Sequence, residues 1–180
     1  MRKYILLLLL LSPMISFSQK GYLVALGASQ VSLSPSHNDL VEEELKSYQS
    51  IYGTMEWITP FKLTVGIEGN YSLDKQFNFY DVKLKAGWIL SRKNRLQIPI
   101  YLNYGLFGVD GLNDEKNRGE VYGIQGGLRF YITRKIAVLG VYDTSFSPIT
   151  KVDGDKIDPV NRNYGRNAIS LAITYYISNE

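Results

Sequence analysis

The sequence predicts an all-β chain: eight antiparallel strands in up-and-down order, closed into a transmembrane β-barrel. Three observations predict it. The first is an alternation with aromatic ends. Every second residue from Tyr80 reads Tyr80, Val82, Leu84, Ala86, Trp88, with Asp81, Lys83, Lys85 and Gly87 between, and from Tyr122 the same count gives Tyr122, Ile124, Gly126, Leu128, Phe130. Successive side chains of a strand point to opposite faces, so each segment has one apolar face bounded by aromatics and one polar, glycine-rich face. The second is loop asymmetry: connections near Thr59-Pro60, Ser91 to Asn94 and Thr133 to Lys135 are short, whereas Ser34 to Ser47, Gly108 to Gly119 and Ser147 to Asn163 are long and polar. Only Leu73 to Gln76 breaks the rule by being short. The third is the sorting of aromatics by depth. With the N-terminus at the short-turn end, Tyr22, Trp57, Phe61, Trp88, Phe130 and Tyr175 fall at that end, and Tyr71, Tyr80, Tyr104 and Tyr122 fall at the long-loop end. The rise from Tyr80 to Trp88, at a strand tilt near 40°, is roughly 20 Å, close to the ~25 Å apolar band of barrels that span a bilayer between two aromatic girdles.

The first element is a leader. Arg2 and Lys3 precede the apolar run Tyr4 to Leu11, and Ser16-Phe17-Ser18 places small residues where a signal peptidase reads them. The run is too short for a spanning helix of about 20 apolar residues. Residues 1–18 are therefore expected to be a cleaved signal peptide and 19–180 a barrel domain. The leader's two cations account for most of the +3 net charge, so no basic footprint for nucleic acid is left. The chain has no cysteine, which excludes disulfides, thiolate metal sites, cysteine nucleophiles and a lipidated N-terminal cysteine. An exported chain without disulfides is held by other means, and a closed ring pairs every backbone group.

The strands follow in order. The first is expected at Gly21 to Leu33, with Tyr22, Val24, Leu26 and Ala28 on one face. The second, Tyr48 to Ile58, turns Ile51, Met55 and Trp57 outward and Tyr52, Thr54 and Glu56 inward. The third, Phe61 to Ser72, alternates most cleanly: Phe61, Leu63, Val65, Ile67 and Tyr71 against Thr64, Gly66, Glu68 and Asn70. The fourth runs Phe77 to Leu90. The fifth, Arg95 to Phe107, contains Pro99, which cannot donate to a ladder and predicts a local bulge. The sixth is Glu120 to Ile132, the seventh Ile136 to Phe146 with the weakest alternation, and the eighth Tyr164 to Ile177. A brief helix is expected within Asn38 to Gln49, and no pattern is assigned to Lys151 to Asn163.

This set of strand count, loop asymmetry, girdles and inner-face glycines (Gly66, Gly87, Gly123, Gly127) resembles the small eight-stranded outer-membrane barrels, the OmpA transmembrane domain and the OmpX-like proteins. The resemblance covers almost the whole chain after the leader. It implies the outer membrane of a Gram-negative bacterium, contact with outer-membrane lipid and lipopolysaccharide, insertion by the barrel-assembly machinery, and a monomer. Family members usually end on an aromatic residue, whereas here Tyr175-Tyr176 are followed by Ile177-Ser178-Asn179-Glu180. No peptidoglycan-binding domain is expected.

Several constellations bear on chemistry. Glu56, Glu68, Asp81, Lys83, Lys85 and Arg129 all point into the lumen by parity. An eight-stranded barrel is just wide enough for its side chains to fill, and enclosed charges must pair, so Glu56 and Glu68 are expected to meet Lys83, Lys85 and Arg129 in a plug. A gated or proton-conducting path is the alternative use of the same residues. His37, the only histidine, has Ser34, Ser36, Asp39, Ser72 and Asp74 as candidate neighbours for the histidine, serine and carboxylate set of lipid A-modifying barrels, but no flanking motif supports it. Glu42-Glu43-Glu44 reads as a solvated loop face or a surface cation site, and Asp153, Asp155 and Asp158 around Gly154 as an incomplete calcium loop. Gly123 to Gly127 lies in a strand with no following helix, so it is no phosphate cradle. The reading is a non-enzymatic surface or structural barrel, cofactor-free. A narrow porin-like channel for ions or small solutes is the alternative, and a lipid A-modifying enzyme or a soluble lipocalin-like carrier stand behind it.

Overall fold

The computed structural model describes residues 21–36, 46–59, 61–73, 78–93, 95–112, 115–157 and 163–178. Nine strands form one sheet: β1 (Gly21–Ser36), β2 (Lys46–Ile58), β3 (Leu63–Ser72), β4 (Asn78–Lys93), β5 (Leu96–Leu112), β6 (Glu115–Tyr131), β7 (Ile136–Val152), β8 (Asp155–Lys156) and β9 (Asn163–Ser178). Each long strand pairs antiparallel with its neighbours in the chain, β6 pairs β7, β7 pairs β9, and β9 closes on β1. The two-residue β8 lies outside this ring on the end of β7. The chain is thus a closed, antiparallel, eight-stranded barrel, and its described residues contain no helix.

The register fixes its shape. Paired residues lead from Val24 through Met55, Ile67, Leu84, Tyr104, Tyr122, Phe146 and Gly165 back to β1 at Ser34, ten residues from the start. A stagger of ten residues around eight strands sets a tilt of about 40°. Outward residues are apolar and exposed: Leu26, Leu84 and Ile173 are 67 %, 63 % and 67 % exposed. Such a continuous apolar belt far exceeds the patches that a soluble monomer leaves in water.

Strand positions match the sequence reading, but three details differ. First, the segments expected as long loops at Gly108 to Gly119 and Ser147 to Asn163 are largely strand, with Asp110 paired to Lys116 and Asn117 to Val152. Above the belt the pattern inverts. Val109, Val121 and Ile149 are buried inward, while Lys116 and Lys151 face out and are exposed. An outward face in water has no apolar residues to mark it as strand. Second, the bulge expected at Pro99 falls on the partner strand, where the β4–β5 register shifts between Ile89 and Arg92. Third, Lys46 to Gln49 are strand rather than helix, while 38–45 lie outside the described residues. Asp153 and Gly154 close the β7–β8 hairpin with φ of 50° and 96°. A two-residue hairpin turn of this hand needs positive φ at both positions, which Asp-Gly supplies.

Candidate functional site in the barrel lumen

The inward positions build a layered lumen. At the short-turn end Leu23, Ile58, Ile89 and Tyr176 form a buried apolar layer. At the loop end Val31, Leu33, Tyr48, Phe79, Phe107, Val109, Val121, Ile149, Tyr164 and Ala168 form a second one, with Val152 and Ile157 packed against it. Its aromatic rings run in series, Tyr48 to Phe79 at 5.1 Å, Phe79 to Phe107 at 6.3 Å and Phe107 to Tyr164 at 6.4 Å between centroids. The lumen is therefore mixed rather than uniformly polar: Thr64 and Gln97 are buried near the inner apolar layer and Asn117 and Ser147 near the outer one, and Ala25, Leu139, Val141 and Ala172 form an apolar wall with Tyr52 in the middle.

Between the two layers the charges form one chain of alternating sign. Arg129 Nη2 lies 2.8 Å from Glu56 Oε2, and Glu56 Oε1 lies 2.9 Å from Lys85 Nζ. Lys85 is 3.4 Å from Glu68 Oε2, and Glu68 Oε1 is 2.8 Å from Lys83 Nζ. Lys83 pairs with Asp143. Asp143 Oδ2 is 2.6 Å from Arg166 Nη1, and Arg166 Nη2 is 3.1 Å from Asp81 Oδ2. These four carboxylates and four cations are all buried, so the net charge of this ion chain is zero. Such balance is what a low-dielectric interior demands, since a lone buried charge is strongly unfavourable.

Neutral groups complete the shell. Tyr101 Oη donates to Glu56 Oε2 at 2.8 Å, and Lys85 Nζ lies 4.5 Å from the Tyr101 ring centroid. Gln125 Nε2 donates to both oxygens of Glu68 at 2.8 and 2.7 Å, and Tyr52 Oη donates to Glu68 at 3.2 Å. Asn70 Nδ2 donates to Asp81 at 3.0 Å. Arg129 Nη1 donates to Gln97 at 3.1 Å near the inner end. At the outer end the Arg166 guanidinium lies 5.6 Å from the Phe79 ring, joining the ion chain to the aromatic layer.

Glu56, Glu68, Asp81, Lys83, Lys85 and Arg129, all read from the sequence as inward, are brought together here. The sequence reading missed Asp143 and Arg166, which join its inner and outer halves. Of the aromatic residues named for the girdles, Tyr22, Trp57, Phe61, Tyr71, Trp88, Tyr104, Tyr122, Phe130 and Tyr175 are exposed on the outer face, and Tyr80 is half-buried there. Of the histidine, serine and carboxylate set, only Ser34 and Ser72 have side chains placed within the described residues. Ser34 faces outward and Ser72 is buried inward, while His37, Asp39 and Asp74 lie outside them, as do Glu42-Glu43-Glu44 and Asp158. Asp153 caps the Lys116 backbone amide at 2.9 Å, and no cluster of three metal-ligating side chains occurs among the described residues.

Barrels of this kind are known. The chain superimposes on Neisserial surface protein A, from Neisseria, with a TM-score of 0.65 at 14% identity, covering 88% of this chain and 99% of that one. It superimposes on Ail, the attachment invasion locus protein of Yersinia pestis, at 0.55 and 10% identity over 89% and 100% of the two chains. It also superimposes on the N-terminal β-barrel domain of Pseudomonas aeruginosa OprF, at 0.51 and 10% identity over 88% and 100%. No family model and no curated protein matches the sequence. The fold is that of the small eight-stranded outer-membrane barrels.

Proposed function

We propose that this chain is a sealed surface barrel of a Gram-negative outer membrane, exported by a leader at 1–18, inserted by the barrel-assembly machinery, and acting as a monomer through its loop-end surface rather than by conduction or catalysis. The observation that carries the reading is the alternating ion chain enclosed between two apolar layers. A conducting lumen needs a continuous wet path, whereas here the polar segment ends against Leu23, Ile58, Ile89 and Tyr176 on one side and against the aromatic series on the other. The charges fix side chains to each other instead of lining water. The outward aromatics support the location, since rings with one apolar and one polar end favour both edges of a bilayer. In this reading they form the two girdles, and the apolar belt between them meets outer-membrane lipid. The strands that continue past the outer girdle form a rigid rim available for contact with lipopolysaccharide, a partner or another cell.

The test is conductance in planar bilayers. The purified protein is expected to give no stable open level at any holding potential. A steady ohmic conductance would overturn the sealed lumen and select the porin-like reading.

A further inference from the structure

The short-turn end carries an unbalanced charge. Its three turns, 59–62, 91–95 and 132–135, hold six lysines and arginines and no aspartate or glutamate. The hairpins at the loop end mix both signs, with Asp110, Glu120, Asp153 and Asp155 among Lys116, Arg118, Lys151 and Lys156. Three of the inner cations repeat one geometry. Leu63 is paired with Trp88, Leu96 with Phe130 and Ile136 with Tyr175, and a cation stands just before each: Lys62, Arg95 and Lys135. Its carbonyl accepts from the amide that follows the aromatic. Lys62 accepts from Ile89 at 3.0 Å, Arg95 from Tyr131 at 2.8 Å and Lys135 from Tyr176 at 2.8 Å. Each cation is thereby fixed one rung beyond an outward aromatic, at three corners of the ring. Among the described residues none of the three has a carboxylate partner.

Height and spacing identify the ligand. One rung at a tilt of about 40° is about 3 Å along the membrane normal. The headgroup layer beyond the hydrocarbon is roughly 5–7 Å deep on each side, so with the aromatics at the membrane–water interface the three cations stand within it. Strict alternation would turn these positions toward the lumen, opposite Ile89, Tyr131 and Tyr176. The strands end there, however. Arg95 and Lys135 are exposed, and Lys62 is half-buried with a φ of 64° that breaks the alternation. No rung beneath them keeps their long stems from the headgroups, and such stems reach a polar layer from an apolar position. Cations on three separate corners, each beside its own ring, suit separate lipids around the barrel rather than one docked partner.

We propose that Lys62, Arg95 and Lys135 bind the phosphates of net-anionic phospholipids in the periplasmic leaflet, one lipid beside each of Trp88, Phe130 and Tyr175. The proposal rests on the membrane reading above and gives the barrel a lipid preference in the leaflet opposite its loops. Two reporters read two corners separately. W57F leaves Trp88 as the only tryptophan, and W57F/W88F/Y175W places the only one beside Lys135. Both are refolded into vesicles in which either phosphatidylglycerol or phosphatidylcholine carries the same brominated acyl chains. Bromine quenches a tryptophan that it touches, so the ratio of quenching gives the preference for the anionic lipid at each ring.

Phosphatidylglycerol is expected to be preferred at both reporters. K62Q is expected to lower the preference about fivefold at Trp88 and to leave it unchanged at the Y175W reporter, the weight of one cation at an anionic surface. K135Q is expected to do the reverse. K62R and K135R are expected to keep the preference, and about 1 M salt to abolish it. Equal quenching by the two lipids, or an equal drop at both reporters from either glutamine variant, overturns the proposal. Loss of the preference to inorganic phosphate, at an ionic strength where chloride leaves it intact, overturns the lipid as the source of the anion. Should a glutamine variant give no compact band on an unboiled gel, the salt series on the parent reporters decides, and a preference that survives it overturns the proposal. Absence of quenching by either lipid is a separate failure, of the membrane reading itself, and removes the proposal with it.

Discussion

Arg166→Met is expected to destabilise the barrel by about 3–5 kcal/mol, the range for removing one partner from a buried ion pair. Arg166 holds two carboxylates, Asp81 at 3.1 Å and Asp143 at 2.6 Å. Methionine fills a similar volume and supplies no charge. Asp143 then retains Lys83 and an Asn103 amide, whereas among the described residues Asp81 loses its cation and keeps the Asn70 amide. The cost is therefore concentrated on one stranded carboxylate. Adding Asp81→Asn to the methionine variant removes that charge and is expected to restore a large part of the loss. Urea unfolding of the vesicle-embedded protein, followed by tryptophan fluorescence of Trp57 and Trp88, reads both effects. Equal stability of Arg166→Met and wild type would show that the ion chain does not hold the lumen.

Gly87→Ala is expected to do more damage, although it adds one methyl group. Gly87 faces inward on β4 opposite Tyr101 of β5. A Cβ built there would stand 1.8 Å from the Ile100 carbonyl oxygen and 2.8 Å from Tyr101 Cα. Those are backbone atoms of the paired strand and cannot rotate away, so the two strands must separate and their ladder must break. The cost is expected to exceed the ~1–3 kcal/mol of an ordinary overpacked core position. Gly126→Ala is the control, because it lies on the outer face with no atom within 4 Å of its added carbon. Refolding yield, read as the compact band, is expected to collapse for Gly87→Ala and to stay at the wild-type level for Gly126→Ala.

The sequence was most legible where the outward face meets lipid. On β4, Tyr80 to Trp88 alternate apolar residues with Asp81, Lys83, Lys85 and Gly87, and the structure places the three charged ones inward as that parity requires. Legibility failed where either face lost its contrast. On β7 the inward residues Ala137, Leu139 and Val141 are apolar and Gly140 lies outward, so neither face looks polar, and Asp143 was not recognised as a lumen charge. Arg166 follows a stretch with Asn163 and Asn167 around it, polar on both faces, so parity alone gave no reason to single it out. The hairpins above the belt were lost for the opposite reason. Their inward faces carry Val109 and Ile149 while their outward faces carry Asp110 and Lys151, which inverts the pattern that marks a membrane strand. The apolar layers that seal the two ends of the lumen went unread with them, since Ile58, Ile89 and Phe79 look like ordinary apolar strand residues until the ring is closed.

The central claim is a closed ring of strands embedded in the outer membrane, and heat modifiability tests it most directly. The outer-membrane fraction is run on a detergent gel with and without boiling. The account predicts a faster-migrating band without boiling, because a ring with every strand paired resists detergent until heat opens it. A single band at the same position in both lanes, with the protein recovered from the soluble periplasmic fraction, would contradict it.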